Sequence, residues 1–201
     1  AGTWPGREDR FSGSPASGPE AFRTQCLSRF EADPVSLLAA RRALVTGAAS
    51  GIGRATVNAL RAAGAEVAGT DRAGASPSCL AADLSRGEDV DALYRAVQER
   101  LGAPDILVSC AGLGVHERLA EGDPAKWARV LEVNVLGALR LIRACVPDML
   151  AGGGDVVIVS SVAARTAYPW GGPYAASKAA LEMLAETLRL EVLPAVRVTT
   201  I

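Results

Sequence analysis

From Arg41 onward, short apolar runs alternate with longer segments of helical periodicity, and the first run passes straight into a glycine turn, Thr46-Gly47-Ala48-Ala49-Ser50-Gly51-Ile52-Gly53. Runs this short cannot bury their own surface. Alternating with helices, they predict an α/β fold of three layers, a parallel sheet flanked by helices on both faces. The pattern predicts strands at Ala43 to Thr46, Glu66 to Asp71, Ser78 to Ala82, Ile106 to Cys110, Val156 to Ser160 and Val196 to Ile201. Helices are predicted at Ile52 to Ala63, Gly87 to Leu101, Pro124 to Leu150 and Pro173 to Leu193. Before this texture begins, Gly, Pro and Ser fill 13 of the first 36 positions. Residues 1–36 are therefore expected to be a disordered leader, with Phe22 to Phe30 as a short helical candidate, and 37–201 to be the folded domain.

Charge excludes several functions. With 21 basic and 22 acidic side chains, the net charge of −1 offers no footprint for nucleic acid or an anionic bilayer. No apolar stretch is long enough to cross a membrane, and the expected location is cytoplasmic. Cys26, Cys79, Cys110 and Cys145 are widely spaced and His116 is the single histidine, so no metal site is expected. Cys110 and Cys145 read as small buried hydrophobes.

The glycine turn carries the first chemical signal. A strand, tight turn and helix with glycines at 47, 51 and 53 fit a dinucleotide site: Gly47 allows the turn, Gly51 lets backbone approach a pyrophosphate, and Gly53 permits close packing. Unpaired N–H groups at the helix start, from Ser50 to Gly53, would meet the phosphates. The same turn can stand without a ligand, but its strand and helix context favours the nucleotide. Asp71 ends the second strand 20 residues after Gly51, where a carboxylate accepts bonds from ribose hydroxyls and repels a 2′-phosphate. NAD is thus favoured over NADP, although Arg72 offers a guanidinium to a phosphate.

A second constellation follows the fifth strand. Tyr174 and Lys178 stand at i and i+4 on one helix face, and a neighbouring ammonium favours the phenolate, fitting Tyr174 to exchange a proton with an alcohol or carbonyl oxygen. Thirteen residues before Tyr174, Ser161 closes an apolar run at the edge of the sheet where open α/β folds bind ligands. Ser160 is an equal candidate for the same hydroxyl role.

Taken together, TGAASGIG at Thr46 to Gly53, Asp71, Asp83-Leu84, Ala111-Gly112, Asn134, Ser161 and YAASK at Tyr174 to Lys178 resemble the short-chain dehydrogenase/reductase family. The resemblance covers about residues 37 to 201 and implies a Rossmann-type sheet, a nicotinamide cofactor and hydride transfer to or from an alcohol or ketone, a small-molecule substrate. It also implies that Tyr174 is the general acid/base, that Ser161 polarises the substrate oxygen, and that Lys178 tunes Tyr174 and binds the nicotinamide ribose. Asn134 would hold a water of the proton relay. Asp83 would meet the adenine edge, with Leu84, Ala111 and Gly112 also lining the cofactor. Dimers or tetramers built on the two long helices are implied as well.

Two departures from the family pattern stand out. Ser109-Cys110 replaces the usual pair of asparagines before Ala111-Gly112. Family members also continue past the last strand into a substrate-covering segment, so the chain is expected to be truncated, its fold incomplete at the C-terminus. A rival expectation is therefore a nucleotide-binding fragment without turnover. Substrate-wall candidates are Leu113, Gly114, Val115, Ala163, Tyr168 and Trp170; His116 reads as an exposed loop residue, and Trp127 and Leu131 as packing on the sheet.

Overall fold

The computed structural model describes residues 37–73 and 79–201. The leader, the candidate helix from Phe22 to Phe30, Cys26 and Ser78 lie outside the described residues. Six strands form one parallel sheet: β1 (Arg42–Thr46), β2 (Glu66–Asp71), β3 (Cys79–Ala81), β4 (Ile106–Ser109), β5 (Gly154–Ile158) and β6 (Val196–Thr200). Their order is β3-β2-β1-β4-β5-β6. The order reverses between β1 and β4, and at such a switch point the loops leaving neighbouring strands diverge and open a crevice.

Alternation along β1 shows how the layers are assigned. Leu44 joins a large cluster with Val90, Leu93 and Val97 of α1's successor, α2 (Gly87–Leu101), once α1 is placed at Gly51–Ala62. Ala43 and Val45 point the other way, into a smaller cluster with Val57 and Leu60 of α1. The large cluster continues into Leu141, Cys145 and Met149 on one long helix and Leu181, Ala185 and Leu188 on the next. Each fully buried aliphatic side chain among them stabilises the fold by roughly 1.5–3 kcal/mol. The expected α/β class, with a Rossmann-type parallel sheet, is what forms.

One element differs from the expectation. The single helix predicted over Pro124 to Leu150 is three pieces: α3 (Pro124–Leu131), a π-helical turn at Glu132–Leu136, and α4 (Gly137–Gly152). A π turn inserts one residue while leaving the apolar periodicity on either side intact, so the pattern reads through it. Trp127 and Leu131 also depart from the sheet-packing role: Leu131 is 43% exposed, and the Trp127 ring lies over Gly122, where a Cβ would stand 2.6 Å from its Cζ2. The last helix, α5 (Gly172–Val192), begins with Pro173 in its first turn and carries Tyr174 and Lys178 at the same edge of the sheet as the glycine turn.

Candidate cofactor and catalytic site

At the switch point lies a crevice of about 550 Å³. Gly47, Ser50, Gly51, Ile52, Gly53, Asp71, Asp83, Leu84, Ala111 and Gly112 all line it, so the ten side chains and backbone segments named from the first two-thirds of the chain converge on one cavity. The glycine turn is built by close approach. Gly47 takes φ +67, and a Cβ there would press on the Ala111 backbone at 3.2 Å; a Cβ at Gly53 would lie 2.2 Å from the Gly47 carbonyl oxygen. Only glycine lets α1 start this near to β1.

The start of α1 differs electrostatically from the starts of α2 and α3. Ser50 is the N-cap residue but its side chain makes no capping bond, and the first turn holds no acid. In contrast, Glu88 and Asp89 fill the first turn of α2, and Asp123 caps α3 by accepting from Ala125 N. The donors of α1 are left for an anion in the crevice. This is the observation on which a dinucleotide fits the site: a glycine cradle, N–H donors without a capping side chain and a carboxylate at the end of β2.

That carboxylate, Asp71, accepts from Ala49 N at 3.1 Å through Oδ2 and from Arg72 N at 2.8 Å through Oδ1, tying β2 to the glycine turn. Asp83 is engaged differently. Its Oδ1 accepts from Ser85 N and Oγ, and its Oδ2 accepts from Arg129 Nη2 at 2.6 Å. Burial alone would raise its pKa, but the bonds from Ser85 and Arg129 outweigh that and hold it down to about 2. Leu84 is buried beneath α4, where a Cβ at Gly137 would stand 2.9 Å from its own Cβ. Where Ser109-Cys110 stands in place of the asparagine pair, the backbone is braced by buried Thr46, whose Oγ1 accepts from Cys110 N at 3.0 Å and Ala111 N at 2.9 Å.

A second cavity of about 450 Å³ shares Ile52, Cys110, Gly112 and Leu113 with the first, and adds Gly114, His116, Val159, Ser160, Tyr174 and Lys178. Lys178 is 5% exposed. Its Nζ donates to Val159 O at 2.7 Å and lies 5.8 Å from the centre of the Tyr174 ring. With a neutral carbonyl as its hydrogen-bond partner, burial pushes the ammonium pKa down. Burial likewise pushes up the thiol of half-buried Cys110, opposed by Lys178, and that of Cys145 to about 12.

The structure separates the two serines. Ser160, in the cavity wall, donates its proton to Glu182 Oε1 at 3.0 Å, and Glu182 is held by Arg165 at 2.8 Å. Ser161 opens the 3₁₀ turn Val162–Ala164, where its Oγ accepts from Ala163 N at 3.2 Å and so keeps its own proton to give. Asn134 sits in the π turn, 1% exposed. Its Oδ1 accepts from Leu113 N at 2.8 Å, while Nδ2 donates to Leu113 O and Ser177 Oγ, both at 2.9 Å. Its side-chain amide is thus a strut between the loop after β4 and α5. A Cβ at Gly112 would meet Asn134 Oδ1 at 3.2 Å and Lys178 Nζ at 3.8 Å, so both groups converge on one glycine.

A profile of the short chain dehydrogenase family matches residues 41–201. The chain belongs to this family. Short-chain dehydrogenases similar to it include the glycine betaine reductase ATRR of Emericella nidulans, 40% identical over 173 residues, which cover 79% of this chain and 14% of that protein. A short chain dehydrogenase of Pseudocercospora fijiensis is 34% identical over 198 residues, covering 90% of this chain and 60% of its own length. The chain thus spans less than two thirds of either protein. Among solved structures, a gluconate 5-dehydrogenase from Burkholderia cenocepacia, in complex with NADP and tartrate, superposes with a TM-score of 0.77 at 28% identity, covering 84% of this chain and 72% of that one.

Sequence reasoning missed several wall residues of the crevice. Arg129 reaches the crevice from α3 to pair with Asp83, 46 residues away in sequence, and no local pattern announces it. Thr70, Cys110 and Val133 are hidden similarly among ordinary strand and helix positions. Of the substrate-wall candidates, Leu113 and Gly114 line the second cavity, as does His116, which is exposed on its loop as expected; Ala163 is buried and Tyr168 and Trp170 stand exposed.

Proposed function

We propose that this chain is the nicotinamide-binding and catalytic portion of an oxidoreductase that interconverts an alcohol and a ketone. The observation that carries the reading is the meeting of Tyr174, Lys178 and the Asn134 strut at the junction of the two cavities. The cofactor, when bound, supplies or accepts the hydride. The chain's own residues handle binding and the proton. Backbone donors from Ser50 to Gly53 bind the pyrophosphate, and Asp71 takes the adenosine ribose hydroxyls. Ser161 donates a hydrogen bond from its hydroxyl to the substrate oxygen, fixing it against the Tyr174 hydroxyl. Tyr174 Oη then gives that oxygen a proton during reduction or takes one during oxidation. Lys178, anchored by the Val159 carbonyl, stabilises the phenolate that results and reaches the nicotinamide ribose.

Asp71 supports NAD as the cofactor, because its charge repels a 2′-phosphate; exposed Arg72 and the NADP in the gluconate dehydrogenase complex are the counter-indications. Assembly as a dimer or tetramer through α4 and α5 belongs to the same reading and is checked by light scattering. The test of activity is nicotinamide absorbance with a panel of alcohols and ketones. Tyr174→Phe should lower turnover by about 10²- to 10⁴-fold while nucleotide binding, measured by calorimetry, persists. A second reading, a nucleotide-binding domain without turnover within a longer protein, draws on the 14% share of the fungal reductase that is matched. Binding of NADH without turnover on any of the panel would select it.

A further inference from the structure

The chain's single histidine, His116, lies in the loop between β4 and α3 and lines the same cavity as Tyr174 and Lys178. A Cβ at Gly114 would meet His116 Cε1 and Tyr174 Cδ2 at 3.6 Å each, so the imidazole and the phenol ring flank one glycine. The imidazole also meets Tyr168. Its Nε2 is 3.5 Å from the Tyr168 hydroxyl, and the ring centroids are 6.0 Å apart. The two loops that carry these residues are tied by a main-chain bond, Glu117 N donating to Trp170 O at 2.9 Å.

The chemistry of this wall is lopsided. Ile52, Leu113 and Val159 are apolar, and among the described lining residues Lys178 is the only other side chain beside His116 that carries or gains positive charge. Nearby carboxylates are engaged elsewhere: Glu117 with Lys126 and Asp123 N, Glu182 with Ser160 and Arg165. Ser160 Oγ donates its hydrogen bond to Glu182, and Lys178, bonded to the Val159 carbonyl, is assigned to the cofactor side of the cavity. His116 and Tyr168 are therefore the polar groups at hand for a second point of contact beyond the reacting oxygen. Both side chains are exposed, so a ketone that carries a second oxygen gains a hydrogen bond there that a ketone without one does not.

We propose that His116, supported by Tyr168, is a specificity-determining residue that selects substrates carrying a second oxygen, a hydroxyl or a carboxylate, close to the reacting carbonyl. The proposal rests on the reading of Tyr174 as the acid/base at this site. It concerns the polar contact alone, which either kind of oxygen can make.

Two measurements on the full, tag-free chain test it. The first compares kcat/KM for butan-2-one, 3-hydroxybutan-2-one and 3-oxobutanoate with reduced nicotinamide. The unsubstituted protein should prefer at least one of the oxygenated ketones over butan-2-one by about tenfold or more, chiefly through KM. Which of the two it prefers distinguishes a neutral hydroxyl from an anion. His116→Ala should collapse that preference ratio about tenfold, His116→Gln should retain part of it, and Tyr168→Phe should lower it a few-fold. An unchanged ratio in His116→Ala, or no preference in the unsubstituted protein, overturns the proposal. The second measurement needs no turnover. With one histidine in the chain, the imidazole signals in a proton-nitrogen correlation spectrum assign themselves, and saturating oxygenated ketone should move them more than butan-2-one does. Equal or absent movement also overturns the proposal. If Tyr174→Phe were as active as the unsubstituted protein, the acid/base reading would fall, while the imidazole titration would still decide His116.

Discussion

The two ends of the parallel sheet are built on opposite electrostatic plans. At the end where the strands begin, charges are matched: Arg41 Nε donates to Asp105 at 2.6 Å and Arg41 Nη2 to Asp155 at 2.8 Å, and Arg197 Nε donates to the other Asp155 oxygen at 2.7 Å. The network links the starts of β1, β4, β5 and β6. Its partners reinforce one another's charge, with Asp105 and Asp155 raising the Arg41 pKa, and Arg197 and Arg41 holding the Asp155 carboxyl low against the effect of burial. At the end where the strands finish, groups are left wanting: α1 starts uncapped, and the buried Lys178 ammonium is pushed down by desolvation. The contrast teaches where a fold of this kind can keep unsatisfied groups. Cross-strand ion pairs and the buried core hold the strands in register from one end, and that lets the other end keep an uncapped helix start and a desolvated ammonium.

Substitutions at the two ends should separate cleanly. The largest effect is expected from Gly53→Ala, whose Cβ would collide with the Gly47 carbonyl; nucleotide affinity should fall by about 100-fold or more and stability by about 1–3 kcal/mol, read by calorimetry and a denaturant melt. Asp71→Ala comes next. It should shift the ratio of NADH to NADPH affinity about tenfold toward NADPH, and an unmoved ratio would count against the ribose role of Asp71. At the matched end, Asp105→Ala should lower stability by about 1 kcal/mol, since its pairs are partly exposed, while nucleotide affinity stays within about twofold. A parallel loss of affinity there would break the separation of the two ends.

The smallest effect concerns acid. Asp83 is held near 2 in the folded chain against 3.8 for an ordinary aspartate, so its contribution is full above about pH 4 and is lost as pH falls toward 2. Asp83→Asn should therefore be less stable than the parent above pH 4, by under about 1 kcal/mol once solvent screening is counted, with the gap closing in acid. Chemical denaturation at a series of pH values checks the sign.

Legibility in the sequence followed the range of the interaction. The six strands, the glycine turn and the Tyr174-Lys178 pair were readable because each is a local pattern: apolar runs, glycines between strand and helix, and two residues four apart on one helix face. The π turn was not, since the apolar periodicity of α3 and α4 continues across it, and only the observed bonds show Asn134 turned toward Leu113 and Ser177. The different bonding of Ser160 and Ser161 was equally closed to inspection, because it depends on Glu182 reaching back from α5 to accept from Ser160 Oγ.

Residue order alone determined that this chain forms a parallel α/β sheet of the short-chain dehydrogenase family, because backbone conformation and apolar periodicity act over a few residues at a time. Which side chains keep a free proton, a free donor or an unmatched charge was decided only when distant segments met. Arg129 closes on Asp83, Val159 turns its carbonyl to Lys178, and His116 stands beside Tyr174 across Gly114. Hydrogen bonding and desolvation depend on what lies within a few ångströms, and for these groups the neighbours come from elsewhere in the chain.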